Sequence, residues 1–203
     1  MEPVVPYRAT SPGTALIDRL RDETRDLHEG LERDLDWRRR MSSVDGHRGL
    51  LARWWGFHAV FEPLIEAHPP FPGLGPRRKL HLLEADLRAI GMPDGGIQAL
   101  PRIRRQSLPN DWAGLVGAMY VLEGSTLGGQ VIARYVRTVL AGTVAHGASA
   151  YYEAYSRTHV GPMWRAFQER LSTEVPHGSH DEVIAGARRT FAALRAWLAP
   201  DDP

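Results

Sequence analysis

Apolar residues recur at spacings of three and four through nearly the whole chain, and no segment shows the apolar–polar alternation of a half-buried strand. That pattern confines the fold to packed helices. Leu16, Leu20, Thr24, Leu27, His28, Leu31 and Leu35 share one helical face, with Arg19, Asp22, Arg25, Asp26, Glu29 and Arg33 off it. A second helix is predicted over 44–67, carrying Leu50, Leu51, Trp54, Phe57, His58, Phe61, Leu64 and Ile65, capped by Ser42 or Ser43 and kinked at Pro63. A third is predicted over 76–90, stopping at Gly91, followed by a loop over 91–109 with at most a short turn. Asp111 is placed to cap a helix that enters a glycine-rich run, and helix resumes over 130–140. Pro162 suits the first turn of a helix ending at Glu174, and Ser179 with Glu182 reads as a capping box for a last helix ending near Leu198. The expected architecture is an all-α, single-domain, multi-helix bundle over 14–198, with a flexible N-terminal segment 1–13 and a tail 199–203.

A chain of 203 residues is long enough to bury a sizeable core and short for two domains. It has no cysteine, which removes disulfides, thiolate metal ligands and cysteine nucleophiles. Any metal must therefore be held by histidine or carboxylate. A formal net charge of +1 argues against a general nucleic-acid binder, which needs surplus cations to displace counterions. Almost all the positive charge is arginine, with Lys79 the lone lysine, so the cations present are those suited to two-pronged contacts with carboxylates. No apolar run is long enough to span a bilayer and the N-terminus lacks a basic-then-apolar leader, which together predict no membrane association and a cytoplasmic location.

Two features carry chemistry. His28 stands alone on the apolar face of the first helix, where it is either a core histidine satisfied by a backbone carbonyl or a metal ligand with Glu32, one turn on, as its partner. Gly124, Gly128 and Gly129 interrupt an otherwise helical segment at a cost of roughly 3 kcal/mol in helix propensity. Gly117 extends the same stripe two turns back. Such a stripe permits close approach either of another helix or of a planar ligand. An imidazole and side-chain-free main chain, brought together, would suit a flat metal-bearing cofactor such as heme.

Three segments, Leu20-Arg21-x-x-Thr24-x-x-x-His28-x-x-Leu31-Glu32, Tyr120-Val121-Leu122-Glu123-Gly124-Ser125-Thr126-Leu127-Gly128-Gly129 and Ala187-Arg188-Arg189-Thr190-Phe191-x-x-Leu194, resemble the heme oxygenases, in particular the biliverdin-forming bacterial type associated with phytochromes. The resemblance covers most of the chain. It implies heme b, substrate and cofactor at once, held between a proximal helix bearing His28 as iron ligand and a kinked distal helix bearing Gly124, Gly128 and Gly129. Glu32 becomes the proximal partner, Arg21 a propionate contact, Tyr120 a residue of the same edge, and Arg188 and Arg189 candidates for the second propionate. Gly124, Ser125 and Gly128 would form the distal wall that steers oxygen over the ring. Many relatives have aspartate where this chain has Ser125, and a serine hydroxyl carries no charge with which to organise proton delivery. The implied reaction uses O2 and an external electron donor and yields biliverdin, carbon monoxide and ferrous iron. A ferredoxin or flavin reductase is the expected donor, docking near Arg38, Arg39 and Arg40, with a bacteriophytochrome as possible biliverdin acceptor.

The alternative from a different class is a heme carrier or sensor that holds heme without turnover. A thiaminase-like hydrolase of similar fold needs the cysteine this chain lacks. A di-iron oxidase needs paired Glu-x-x-His elements, and Glu174 to His177 is broken by Pro176, while His81 and Glu84 read as surface residues. His58 is expected in the core, and the remaining histidines share no ligand spacing.

Overall fold

The computed structural model describes residues 12–69 and 75–199, and among them eight α-helices and no strand. They are α1 (Pro12–Leu35), α2 (Trp37–Arg40), α3 (Val44–Ala67), α4 (Leu80–Ala89), α5 (Asp94–Gln98), α6 (Trp112–Val139), α7 (Val160–Glu174) and α8 (His180–Leu198). Most of the segment 1–13 and most of the tail 199–203 lie outside the described residues.

Local side-chain caps set the starts of α2, α3 and α6. Ser43 caps α3 by accepting from the Gly46 N–H at 3.1 Å, and Asp111 caps α6 by accepting from Gly114 at 2.8 Å. Asp36, in the left-handed region at φ 38°, separates α1 from α2. Three expectations need correction. The helix expected from 76 begins at Leu80, because the N–H groups of Lys79 and Leu80 are taken, each at 2.8 Å, by the Glu62 carboxylate of α3. A carboxylate distant in sequence thus supplies the cap, which no local reading can see. The loop expected over 91–109 contains α5. Ser179 makes no side-chain cap bond; a 3-10 turn over His177–Ser179 leads into α8 instead.

The core is organised around α3 and α8. Leu50, Leu51, Trp55, Phe57, Phe61, Leu64 and Ile65 bury most faces of α3, while α8 packs extensively on both α6 and α1. The α6–α8 crossing is made at backbone contact: a Cβ on Gly117 would overlap the Val183 carbonyl oxygen, and one on Gly186 would overlap the Gly114 backbone. The early part of the glycine stripe therefore serves helix packing. Between α6 and α7, residues 140–159 form a turn-rich segment that is nonetheless buried at Leu140, Ala145, Ala148, Tyr151, Tyr152 and Tyr155. Buried loop backbone needs partners. Asp86 of α4 accepts from the N–H groups of Ala150 and Tyr151 at 2.8 and 2.9 Å, His47 Nε2 donates to the Ala148 carbonyl at 2.8 Å, and Gln130 donates to the Tyr155 carbonyl at 3.1 Å.

Candidate active site

A cleft of about 510 Å³ opens between α1, α6, the 140–159 segment, α7 and α8, within the range of small-molecule sites. His28 lies on it with 53% of its side chain exposed, so its position on the apolar face of α1 is explained by a cleft rather than by burial. Leu16 and Leu20 of the same stripe are buried against the core, whereas Thr24, Leu31 and Leu35 line the cleft with His28. His28 Nε2 stands 3.6 Å from Glu32 Oε1, so Glu32 can hold one ring nitrogen and leave the other to a ligand. The Phe191 ring of α8 props the imidazole edge-on at 5.7 Å between centroids.

The glycines divide by role. Gly128 has nothing within 4 Å of where a Cβ would stand, and Gly124 has only Trp164 of α7, at 3.7 Å. Both line the cleft. Gly129 also borders it, but its missing side chain is accounted for by the Tyr152 carbonyl, which a Cβ would overlap; its glycine is required by packing and not by a ligand. Ser125 lies on the cleft with its hydroxyl donating to the Leu122 carbonyl at 2.8 Å, and Thr126 donates to the Glu123 carbonyl at 2.6 Å. The α6 helix is unbroken from Trp112 to Val139.

Cations gather on α1. Arg21 and Arg25 line the cleft one turn apart, each also paired on α1, Arg21 with Asp18 at 3.1 Å and Arg25 with Asp22. Tyr120 joins this edge, its hydroxyl pKa raised by burial against the lowering effect of Arg21. Arg188 and Arg189, expected at a second propionate, are not on the cleft. Arg188 donates to the Glu23 carbonyl and pairs with Asp26 at 3.5 Å, tying α8 to α1. Arg189 donates to the carbonyls of Gln106 and Ser107. Adjacent helical positions differ by about 100° in direction, so no more than one could have faced a common ligand.

Residues the sequence reading missed supply much of the wall: Trp54, Tyr151, Tyr155, Trp164 and Lys79. Lys79, the single lysine, is 4% exposed and pairs at 3.3 Å with Glu123, which also pairs with Arg77 and accepts from the Tyr155 hydroxyl at 3.1 Å. Its uniqueness was visible in the sequence, but a lone lysine carries no sign of burial. The arrangement suits a flat, largely apolar ligand bearing anionic groups at the Arg21 edge and offering a metal to His28. Among the described residues no group of three or more His, Asp or Glu side chains is placed to hold a metal ion.

The family model described as heme oxygenase matches residues 14–200. A heme oxygenase of Xanthomonas campestris pv. campestris (strain 8004) is 36% identical over 126 residues, covering 62% of this chain and 70% of that protein. The solved structure of heme oxygenase from Leptospira interrogans superposes with a TM-score of 0.70 at 15% identity, over 91% of this chain and 98% of that one, a likeness of fold.

Proposed function

The chain belongs to the heme oxygenase family, and on that premise we propose that the cleft binds heme b through His28 and opens it oxidatively to biliverdin, carbon monoxide and ferrous iron. The observation that carries this reading is a half-open histidine sharing a cleft with two glycines, Gly124 and Gly128, that present no side chain to it. Bound there, heme supplies the iron at which dioxygen is activated by electrons from an external donor.

The chain's own residues do the rest. His28 would offer one imidazole nitrogen to the iron, with Glu32 3.6 Å from Nε2 and able to accept from it. Arg21 and Arg25, with Tyr120, receive the propionates, the guanidinium fork matching a carboxylate. Leu31, Leu35, Trp164 and Phe191 supply apolar wall that excludes water and strengthens every charge contact inside. Gly124 and Gly128 leave the α6 wall low, so that a flat ligand would lie close to main chain there. A bend of α6 at Gly128 and Gly129 would let this wall open and close.

A ferredoxin or flavin reductase is the proposed electron donor. Arg33 and Arg38 line a second, shallower pocket that shares Glu32, Trp37, Gly128 and Ile132 with the cleft, and suit an acidic partner. Arg39 and Arg40 are weaker contributors than the sequence suggested, since Arg39 pairs with Asp36 and Arg40 donates to the Leu198 carbonyl at 2.7 Å. A bacteriophytochrome as biliverdin acceptor rests on the sequence resemblance, and a cytoplasmic location on the sequence pattern alone; among the described residues no helix is long and apolar enough to cross a membrane.

The deciding experiment mixes the protein with one equivalent of hemin and then adds reductant and air. A histidine-ligated Soret band that bleaches as biliverdin absorbance grows supports the enzyme. A band that persists assigns the protein to heme carriage.

A further inference from the structure

We propose that the face formed by Arg53, Arg102, Arg104, Arg105 and Arg189 is a docking surface for an acidic segment of a partner protein, whatever the cleft binds. Three parts of the chain converge there. The Ile103 N–H donates to the Gly56 carbonyl at 3.2 Å, which lays the start of the 99–111 segment on α3. Trp197 of α8 closes the same spot: its indole N–H donates to the Arg53 carbonyl at 2.7 Å, and its ring would meet a Cβ on Gly56. Further along the segment, Arg189 of α8 donates to the carbonyls of Gln106 and Ser107. Arg189 and Trp197 stand two turns apart, so the segment follows α8 for about 12 Å. Arg102, Arg104 and Arg105 are exposed along that length.

What marks this face is the kind of partner its cations have. The stretches 46–61, 95–110 and 183–198, which build it, contain no Asp or Glu. Arg53 donates to the Trp197 carbonyl at 2.8 Å and lies over that indole. Arg102 donates to the Gln98 carbonyl at 3.3 Å and lies over the Trp55 ring. Among the described residues none of these arginines pairs with a carboxylate, whereas Arg21, Arg188 and Arg195 all do. Carbonyls and aromatic faces hold a guanidinium in place without cancelling its charge. The result is a preordered positive field, which draws an anionic partner and leaves little ordering to be done when that partner arrives.

The surroundings select carboxylates on a protein over other anions. A nucleic acid wants free aromatic faces for its bases and a longer cationic track; here Trp55 is 1% exposed beneath Arg102, and the Trp197 ring carries Arg53. A lipid surface wants apolar side chains to insert, and Ile103 and Leu108, which flank the exposed arginines, are buried. Guanidinium forks spaced along one edge match carboxylates two-pronged. Around α8, Arg189 points about 160° away from Phe191, which lines the cleft. The face therefore lies across that helix from the cleft, and a partner seated on it leaves the cleft open.

The test uses the full chain and a fluorescein-labelled octaglutamate peptide, read by fluorescence anisotropy at low and high salt. Wild type is expected to bind the peptide, and to bind it more weakly as salt screens the contact. Arg104→Ser combined with Arg105→Ser is expected to weaken binding at least about tenfold with the thermal midpoint unchanged, both side chains being exposed. Arg157→Ser combined with Arg165→Ser, the same loss of charge elsewhere, should change it less than about twofold. In the wild-type complex the side-chain Nε–H NMR signals of Arg102, Arg104, Arg105 and Arg189 should be the arginine signals that move. No binding, equal weakening by the two double variants, or shifts at other arginines would mean diffuse charge attraction and overturn the proposal. A single-stranded oligonucleotide or phosphatidylserine vesicles that bind more tightly than the peptide, and lose that binding in the Arg104/Arg105 variant, would overturn it in favour of nucleic acid or lipid.

Discussion

The imidazole of His28 on α1 meets the ring of Phe191 on α8 edge-on, with 88° between their planes. Phe191 is 6% exposed, so a fixed core ring orients a histidine whose other side faces the cleft. His28→Ala is expected to remain folded, losing about 1 kcal/mol or less in a urea titration, because the deleted side chain is half in solvent. The same variant should lose the histidine-ligated Soret band with hemin. An unchanged band would assign the ligand elsewhere.

Gly128 and Gly129 are adjacent yet should respond oppositely to substitution. Gly128→Val adds a side chain where nothing lies within 4 Å, so the fold should survive while turnover slows more than heme uptake does. Gly129→Ala drives a methyl into the Tyr152 carbonyl and should destabilise by about 1–3 kcal/mol. Thermal melts and heme-consumption assays on both variants separate the two outcomes.

Arg21 and Arg189 make a second contrast. Arg21→Ala should weaken hemin binding by roughly tenfold, the loss of one charge-assisted contact. Arg189→Ala, which gives up bonds to the Gln106 and Ser107 carbonyls away from the cleft, should leave hemin affinity unchanged. Equal effects in a fluorescence-quenching titration would contradict the placement of these arginines.

Glu123 is 1% exposed between Arg77 and Lys79. Glu123→Gln removes the shared counter-charge and should cost about 3–5 kcal/mol in chemical denaturation, since the buried Lys79 and the partly buried Arg77 are left without it. A smaller loss would mean that the cluster reaches solvent.

Asp86 predicts a pH dependence of stability. Burial, opposed by the Tyr151 and Ala150 N–H groups, raises its carboxyl from an ordinary 3.8 to about 6. Between those values the folded protein holds a proton that the unfolded chain has released, so this group's contribution falls as pH rises through that window, by about 3 kcal/mol in all. Below the window both states are protonated and the difference vanishes. The stability of wild type minus that of Asp86→Asn, measured by urea midpoint from pH 4 to 7, should therefore decline with pH; a flat difference would remove Asp86 as the cause.

Wherever the determining contact lies within one or two helical turns, the sequence is a sufficient guide: the periodic stripe of α1, the Ser43 and Asp111 caps and the turn at Gly91 all follow from neighbours along the chain. The motif residues His28, Gly124, Ser125 and Gly128 were legible for the same reason, since spacing alone puts the last three on one side of a helix. What the stripe does could not be read that way. Gly117 and Gly129 look like Gly124 and Gly128 in sequence, yet the first two are filled by the backbones of α8 and of the 140–159 segment while Gly128 faces open space and Gly124 meets only the Trp164 ring. The cap of α4 by Glu62, the diversion of Arg188 and Arg189, and the tyrosines that a strandless, helix-free loop brings to the cleft likewise depend on partners far along the chain. A glycine or an arginine carries no record of what will stand opposite it, and only the packing of distant helices decides whether that is a backbone, a carbonyl or a space for a ligand.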